Sequence, residues 1–427
     1  MSNLPEGWAG ARLRDVCELI NGRAYKQDEL LDKGRYPVLR VGNFFSNRHW
    51  YYSDLDLDRD KYCDSGDLLY AWSASFGPRI WDGGKVIFHY HIWKTRPVDA
   101  LIEKRFLYHW FEWDKENIKS DHGTGSTMIH VTKGDMEARR FALPPLPEQR
   151  RIVAKIDSLI GKTKRARDHL EHIPRLVEKY KQAILAAAFR GDAELARVGD
   201  VITDIRYGTA KKCNYDGGAV PVLRIPNVQG GRIDLGDMKS ADFDAKELLK
   251  LELQTGDILV IRSNGSLDLV GRSAVVDHRA AGMLFAGYLI RLRLDPTRCL
   301  PEYLHWFLQS SVARNTITNA AKSTSGVNNV NAQELQTLEL PLPSIAAQKE
   351  RIASIESAFT WIDRLTADAT SARKLIDRLD QSLLAKAFRG ELVPQDPTDE
   401  PASALLERIR AERAAAPKPK RGRKKAA

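Results

Sequence analysis

The chain repeats itself at a fixed offset of 199 residues. Seven residues illustrate the match: Pro144, Ile156, Leu185, Ala188, Phe189, Arg190 and Gly191 correspond to Pro343, Ile355, Leu384, Ala387, Phe388, Arg389 and Gly390. No gap is needed between Pro144 and Gly191. An insertion would change the length of a helix that holds two domains apart, whereas a loop can accommodate an insertion. The repeat therefore predicts two equivalent long helices, and a repeat of this kind determines how the whole chain is organised.

Both copies of the repeat carry apolar residues at alternating intervals of four and three. The first series includes Ile152, Ile156, Leu159, Leu170, Ile173 and Val177. The second series includes Ile355, Ile362, Leu365, Ile376, Leu379 and Leu383. Thr163 is the plainly polar residue of the first series. An apolar period of 3.5 residues over several heptads predicts a coiled coil, with these residues in the seam between the helices.

Proline and glycine set the limits of the two predicted helices. Each helix follows a proline-rich stretch, at 143–147 and at 340–343, and each ends at a Phe-Arg-Gly sequence. Gly191 and Gly390 stand where a helix favours glycine just past its end. Pro174 lies inside the first copy and predicts a kink there, whereas the second copy has Arg373.

The segments before and between the helices match each other more loosely, with gaps. For example, 37–43 corresponds to 221–227, 66–69 to 256–259, and 109–111 to 305–307. The matched pieces are short β-rich runs bounded by Gly, Asp and Pro, together with one amphipathic helix. The chain is thus predicted to be α+β, with globular segments 1–146 and 192–343, helices 147–191 and 344–390, and a C-terminal segment 391–427.

Composition narrows the possible functions. The net charge is +10, but six basic residues between 418 and 425 account for +6 of it and leave +4 for the remainder. This basic tail is predicted to be disordered, and it either aids solubility or attracts nucleic acid without sequence preference. The four cysteines are far apart, and neither a signal peptide nor a membrane span is recognisable. These features predict a cytoplasmic protein without disulfides.

The order of the motifs resembles the DNA-specificity subunit of type I restriction–modification enzymes. The resemblance covers nearly all of residues 4–395. It rests on the sequences LPPLPEQRRIV from Leu143, LPLPS from Leu340, GDILVIRSNG from Gly256 and SGVNNVN from Ser325, and on the two AFRG ends. Each motif is weak alone, but their order and spacing together are specific.

The resemblance implies a fold, partners and a role. Each globular segment would be a target-recognition domain that reads one half of a bipartite site in double-stranded DNA. The helices would pair antiparallel with an internal pseudo-two-fold repeat, set the gap between the half-sites and dock two adenine-methyltransferase subunits carrying S-adenosylmethionine. Two restriction subunits would use ATP and Mg²⁺. The specificity subunit itself would be non-catalytic and would bind no cofactor.

The residues agree with a non-catalytic role. The sequence contains no Asn/Asp-Pro-Pro-aromatic motif of an adenine methyltransferase. Gly161-Lys162-Thr163 resembles the end of a phosphate-binding loop, but Ile156 replaces its first glycine and the segment lies on the heptad helix. His89 and His91 could point the same way from a strand, but no ligand set accompanies them, so no metal site is predicted.

The strongest candidate for base reading is a pair of aligned loops. Trp72-Ser73 in the first segment corresponds to Arg262-Ser263 in the second, where Asn264 follows. Arg and Asn can present paired hydrogen-bonding groups to guanine and adenine. The alternative is a polar loop packed against the sheet.

Further candidates have the chemistry of phosphate or base contacts, or are ordinary surface residues. They are Arg79, Lys85, Lys94, Thr124, Ser126, Arg206, Tyr207, Lys211, Lys212, Arg224 and Arg232. Two competing functions remain, a coiled-coil scaffold with protein-binding globular domains and an enzyme with an unrecognised site.

Overall fold

The computed structural model describes residues 4–46, 49–73, 75–122, 131–191, 193–324 and 327–415, and these form two compact units. Unit 1 combines the described residues of Met1–His169 with those of Ala372–Ala427, and unit 2 comprises the described residues of Leu170–Ser371. Each unit therefore contains one globular segment together with a part of each long helix. Among the described residues, no helix has the length and apolar character that a membrane crossing requires.

The first globular segment is built mainly from short strands. Its strands are β1 (Ala9–Arg12), β2 (Cys17–Asn21), β3 (Tyr36–Leu39), β4 (Tyr51–Ser53), β5 (Tyr62–Cys63), β6 (Leu68–Ser73), β7 (Ser75–Ile80), β8 (Val86–Phe88), β9 (Ile92–Pro97) and β10 (Arg140–Leu143). Its helices are α1 (Leu13–Val16), α2 (Val41–Phe45), α3 (Lys104–His122) and α4 (Lys133–Ala138). The sheets have the strand orders β2-β9-β6-β7, β4-β3-β8-β5 and β1-β10.

The first long helix is interrupted where the sequence predicted a kink. It consists of α5 (Leu146–Glu171) and α6 (Ile173–Ala188), with Pro174 in the first turn of α6. Proline lacks the N–H that would continue the helical ladder, which explains the break.

The second globular segment repeats the architecture of the first. Its strands are β11 (Leu195–Arg197), β12 (Ile202–Tyr207), β13 (Val220–Leu223), β14 (Lys239–Ala241), β15 (Ile258–Ile261), β16 (Ser263–Asn264), β17 (Ser273–Val275), β18 (Leu284–Phe285), β19 (Leu289–Leu294), β20 (Lys322–Thr324), β21 (Val327–Asn329) and β22 (Glu339–Pro341). Its helices are α7 (Ile225–Val228), α8 (Ala245–Leu251), α9 (Pro301–Gln309), α10 (Ser311–Ala320) and α11 (Ala332–Gln336).

The sheets of unit 2 have the strand orders β12-β19-β15-β17, β14-β13-β18, β11-β22 and β16-β21-β20. One parallel pair occurs at the same place in both units, β3 with β8 and β13 with β18. Gly22 and Gly208 also occupy equivalent places, where a Cβ would lie 2.4 and 2.3 Å from backbone oxygens of the neighbouring strand. Only glycine fits such a close backbone approach.

The second long helix, α12 (Ile345–Phe388), is unbroken and is followed by α13 (Ala402–Ala415). In α13, Ala402, Leu406 and Ile409 are buried in the core of unit 1. The Ala402 amide also donates to the Gly7 carbonyl oxygen at 2.9 Å. The C-terminal segment is thus part of unit 1 as far as Ala415, and the basic tail lies outside the described residues.

The helices pack antiparallel within unit 1. The Thr163 hydroxyl donates to Asp380 Oδ1 at 2.8 Å. One turn further along α5, Arg167 donates to both Asp377 and Asp380 at 2.9 Å. A higher residue number on α5 thus meets a lower number on α12. Because Thr163, Arg167 and Asp380 are half-buried, they place a polar network in an otherwise apolar seam.

Unit 2 shows the same antiparallel packing. Lys181 of α6 donates to Asp363 Oδ1 at 2.6 Å and lies over the Phe359 ring of α12, 5.1 Å from its centroid. Leu185 and Ile355 are buried in one shared core. The predicted α+β fold with paired helices is confirmed.

The seam differs from the predicted heptad series at several positions, including Tyr180, which continues the first series after Val177 but is 62% exposed. Ile152, Ile156, Ile355, Ile362 and Leu383 are buried, and Leu159, Leu170, Ile173, Val177 and Ile376 are half-buried. Leu365 and Leu379, by contrast, are 42% and 56% exposed. The next residues, Thr366 and Asp380, are half-buried instead. The seam therefore runs one residue later there, because a helix seam follows packing geometry even where the residue is polar.

A buried glutamine fixes the start of each long helix to its own globular segment. Gln149 donates to the carbonyl oxygens of Leu101 and Pro144 at 2.8 and 3.0 Å and accepts from the Glu103 amide at 2.8 Å. Its side chain is fully buried. It satisfies two buried carbonyl oxygens and the amide of the half-buried Glu103.

Gln348 repeats these contacts 199 residues later. It donates to the carbonyl oxygens of Arg298 and Pro343 at 2.9 and 3.0 Å and accepts from the Leu300 amide at 2.9 Å. We call Gln149 and Gln348 the glutamine clamps. Pro144 and Pro343 supply equivalent carbonyl acceptors at the start of the two long helices.

Replacing a clamp should destabilise its unit. The change Gln149→Leu keeps a similar volume but leaves two buried carbonyl oxygens and the amide of half-buried Glu103 without partners. Each buried group without a partner costs about 1–3 kcal/mol. We expect the free energy of unfolding to fall by about 2 kcal/mol or more, and Gln348→Leu to have a smaller effect because its partner groups lie on exposed or half-buried residues. Urea unfolding followed by tryptophan fluorescence measures this. The matched control is Gln381→Leu, at an exposed position of α12, and a loss below about 0.5 kcal/mol for Gln149→Leu would contradict the clamp.

Candidate nucleic-acid interface

The two aligned loops occupy equivalent positions at the ends of β6 and β15. In unit 1 the Trp72 amide donates to the His91 carbonyl oxygen at 3.0 Å, and in unit 2 the Arg262 amide donates to the Tyr288 carbonyl oxygen at 2.9 Å. The same backbone contact in both units supports the alignment of Trp72 with Arg262. We call the two places tip 1 (residues 72–73 and 89–91) and tip 2 (residues 262–264, 288 and 328–329).

Tip 1 is aromatic. Trp72 stacks on Trp93 with ring centroids 5.7 Å apart, and its edge contact with His91 is 5.0 Å. The Trp72 indole N–H donates to the Tyr90 carbonyl oxygen at 2.8 Å. Tyr90 is exposed, whereas Ser73 is buried with 4% exposure. Tip 1 therefore presents aromatic surfaces, which suit apolar contact with a ligand.

His89 lies beside these rings and is half-buried. Burial, with smaller effects of His91 and Arg40, lowers the pKa of His89 to about 4. The imidazole is consequently neutral near pH 7 and carries no charge toward a phosphate. No group of three His, Cys, Asp or Glu residues able to hold a metal ion occurs in the described part of the chain, these two histidines included.

Tip 2 is polar. The Arg262 guanidinium lies over the Tyr207 ring, 4.6 Å from its centroid, and the Tyr207 hydroxyl accepts from the Ala332 amide at 2.9 Å. Ser263 and Asn264 of β16 pair with Asn329 and Asn328 of β21. Asn264 and Asn328, which are 64 residues apart in the sequence, thus bring two motifs together in a single surface.

Asn328, Asn329 and Tyr288 were not among the predicted site residues. Tyr288 is 62% exposed, and both asparagines are half-buried at the end of the sheet. The signal existed in the sequence, since the two asparagines belong to the motif from Ser325 that carries part of the family resemblance. It could not be used because strand pairing over so long a separation is not visible in a local pattern.

Several basic candidates are engaged in ion pairs within their own unit. The pairs are Arg79–Asp82 at 2.8 Å, Lys94–Asp67 at 2.6 Å, Arg206–Asp204 at 3.0 Å, Lys211–Glu247 at 3.1 Å and Arg224–Asp237 at 3.0 Å. Lys94 also donates to the Tyr62 carbonyl oxygen at 3.2 Å, and its side chain is only 22% exposed. Lys94 therefore joins β9 to neighbouring loops.

The remaining candidates have different surroundings. Lys85 lies over the Tyr62 ring at 4.5 Å, which leaves its charge near the surface. Lys212 and Arg232 are exposed and form no ion pair among the described residues. Thr124 and Ser126 lie outside the described residues.

Unit 2 also contains a polar cavity of about 630 Å³ next to its part of the long helices. Arg232, Arg272 and Arg279 line it together with Glu302 and Glu356. At its wall the buried His305 contacts the Ser273 hydroxyl at 3.0 Å through Nδ1, and burial lowers the pKa of His305 to about 4. The mixture of both charges favours no single ligand.

The chain is similar to known proteins over nearly its whole length. Residues 5–174 match the family described as type I restriction modification DNA specificity domain. The chain is 30% identical over 464 residues to the EcoKI type I restriction enzyme specificity subunit of Escherichia coli, with 99% of each chain covered. It is 28% identical to the StySPI specificity subunit of Salmonella potsdam, again with 99% of each covered.

A solved structure shares the fold. It comes from work on complex assembly and conformational transition of the type I R-M system and is similar with a TM-score of 0.71 at 22% identity. The similarity covers 92% of this chain and 100% of that one.

Proposed function

Because this chain belongs to the family of type I restriction–modification DNA-specificity subunits, we propose that each of its units reads one half of a bipartite DNA site. The observation that carries the proposal is that one scaffold occurs twice and ends in two chemically different tips. A duplicated scaffold with equal tips would bind a symmetric site. Different tips favour two different half-sites, because loops on a fixed scaffold determine what is bound.

The chemistry of the tips supports different modes of reading. Tip 1 offers the rings of Trp72, Tyr90 and His91, which favour apolar contact with the thymine methyl group in the major groove. Tip 2 offers Arg262, Asn264 and Asn328, whose guanidinium and amide groups match the groove edges of guanine and adenine. Exposed basic residues such as Lys212 and Arg232 would contact phosphates and fix the orientation of the DNA without reading its sequence.

The long helices support docking of two methyltransferase subunits. Leu176 and Tyr180 of α6 correspond, at the offset of 199, to Leu375 and Leu379 of α12. These four large apolar residues are between 47% and 62% exposed, and each pair is spaced i, i+4 on one helix face. One pair lies in unit 2 and the other in unit 1. Equivalent exposed apolar patches favour two equivalent protein partners.

The partners would supply the chemistry. In this proposal the chain is the non-catalytic subunit and binds no cofactor itself. The two methyltransferase subunits carry S-adenosylmethionine, and the restriction subunits use ATP and Mg²⁺. The described residues contribute recognition and docking, and the antiparallel helices set the gap between the half-sites.

Two single substitutions test whether each tip reads a different half-site. In the complex with its methyltransferase subunits, Trp72→Ala should relax the sequence preference in one half-site only, and Arg262→Ala in the other half only. Each should cost about 1–3 kcal/mol of binding to the selected duplex. Selection from random duplexes followed by sequencing measures both preferences. Loss of preference in both halves from one substitution, or in neither from both, would contradict the proposal.

The proposed docking surfaces can be tested by counting the methyltransferase subunits in the complex. The double change Leu375→Ser with Leu379→Ser removes the apolar patch of unit 1 and should leave a complex with one methyltransferase subunit instead of two. Native mass spectrometry counts the subunits. The control is Lys374→Ser with Arg378→Ser, which alters exposed residues of the same helix turn. Two bound subunits in the Leu variant, or the same loss in the control, would contradict docking at this patch.

A further inference from the structure

We infer that unit 1 carries a second DNA-contacting surface, separate from tip 1, that binds phosphate groups without reading sequence. The surface lies where β1, β10 and α13 come together. We call it the arginine patch, and it consists of Arg12, Arg14, Arg140, Arg410 and Arg413 around Asp15. The inference rests on the proposed function in one respect, that DNA is the ligand of this chain.

The patch is assembled from residues that are far apart in the sequence. The Arg12 amide donates to Asp15 Oδ2 at 2.8 Å, and the Arg410 guanidinium of α13 donates to the same oxygen at 3.0 Å. Arg413 donates to the backbone carbonyl oxygen of Asp15 at 3.2 Å. Asp15 therefore attaches the C-terminal helix to the start of unit 1 and places the two arginines of α13 beside those of β1 and α1.

Much of the positive charge in the patch is not neutralised by the protein. Arg12 and Arg140 are register partners on adjacent antiparallel strands, and like charges in that position destabilise a sheet. Their guanidinium groups and that of Arg14 form no ion pair with any described residue. Glu18, the next acid along the chain, pairs with Arg96 at 2.9 Å instead. A bound polyanion would remove the repulsion that the fold leaves in place.

Unit 2 lacks this excess of charge at the equivalent place. The Arg197 amide donates to Asp200 Oδ2 at 2.9 Å, which reproduces the contact between β1 and Asp15. The register partner of Arg197 is Glu339, so unit 2 has opposite charges where unit 1 has two arginines. Gly199 aligns with the arginine of α1. The net charge of +4, from five arginines and one aspartate, is therefore a feature of unit 1 and not of the shared scaffold.

The composition of the patch favours DNA phosphates over a protein partner. Beside its charged residues, Gly10 and Ala11 line its cavity of about 350 Å³, so none of the described lining residues has a large apolar side chain. Protein–protein interfaces have an apolar and aromatic core, whereas protein–DNA interfaces are polar and positively charged. Every cation of the patch is an arginine, whose planar guanidinium can bind a phosphate through two hydrogen bonds. In the sequence, the six basic residues between 418 and 425 follow Arg413 and add charge of the same sign.

The patch lies at the opposite end of β2 from tip 1. Cys17, the first residue of β2, directly follows α1, whereas Asn21 at the other end pairs with Trp93, on which the indole of tip 1 stacks. The length of β2 corresponds to roughly 13 Å. The patch therefore contacts phosphates outside the base pairs that tip 1 reads. Such contacts add affinity and salt dependence but no sequence preference.

The experiment measures the salt dependence of DNA binding by the complex of the full chain with its methyltransferase subunits. The test variant is Arg14→Gln with Arg140→Glu, and the glutamate gives unit 1 the charge pair that unit 2 already has. A duplex selected from a random library with the unaltered complex, and a random duplex, are each extended on both sides and titrated over a range of salt concentrations. Each lost phosphate contact reduces the slope of log K against log salt by about 0.9. The variant should therefore have a slope smaller by about 2 on both duplexes, with the ratio of their affinities unchanged.

The matched control is Lys33→Glu with Arg35→Gln, which makes the same change of charge at exposed positions of unit 1 before β3. Its slope should stay within about 0.5 of that of the unaltered complex. Arg14→Gln alone changes one exposed side chain and should reduce the slope by about 1, which keeps the inference testable if the double variant unfolds. The basic tail is the same in every variant, so the differences in slope report the patch.

The outcomes separate this inference from the proposed function. Unchanged slopes in both patch variants overturn the inference, and so does an equal reduction in the control, because the effect would then come from net charge alone. A changed ratio between selected and random duplexes also overturns it, since the patch would then act on base reading. Unchanged DNA binding with loss of a methyltransferase subunit in native mass spectrometry would show an acidic protein partner instead. If the unaltered complex binds both duplexes alike, the proposed function fails, whereas the slopes still decide the inference.

Discussion

The fixed attachment of each long helix to one globular segment is the constraint on which the rest of the structure depends. Gln149 and Gln348 make the same three hydrogen bonds to backbone groups, at the same place in each repeat. A helix whose start is fixed in this way sets a constant distance only if its length is constant. The repeat has no gap over this region, so the two helices have equal length in the sequence. The antiparallel seam then brings a part of each helix into each unit, so that neither globular segment is complete without both helices.

One scaffold that occurs twice and carries two different tips can read two unlike half-sites. The backbone contact beneath the tip is identical, from the Trp72 amide to His91 and from the Arg262 amide to Tyr288. Above this contact, one unit carries stacked rings and the other carries amides and a guanidinium. The recognition chemistry can thus change without disturbing the core, because strands and clamps are retained while exposed residues vary.

Much of this organisation could be predicted from the sequence, because it depends on local patterns. Heptad spacing predicted the helices, Pro174 predicted the interruption between α5 and α6, and matched β-rich runs predicted the repeated sheets. Features that depend on long-range packing could not be predicted. Asp380 takes a seam position in place of Leu379 because Thr163 and Arg167 from the other helix satisfy its carboxylate. Similarly, the ion pair of Lys94 with Asp67 and the pairing of Asn264 with Asn328 join residues far apart in sequence.

The most direct test of the central claim, that two units read two halves of one site, is a map of N6-methyladenine across the genome of the source cell. The map is recorded with the gene intact and with the gene deleted. The account predicts a methylated motif of two short specific halves around a fixed gap, which disappears on deletion. A motif that persists without the gene, or one that depends on the gene but is a single uninterrupted sequence, would contradict it.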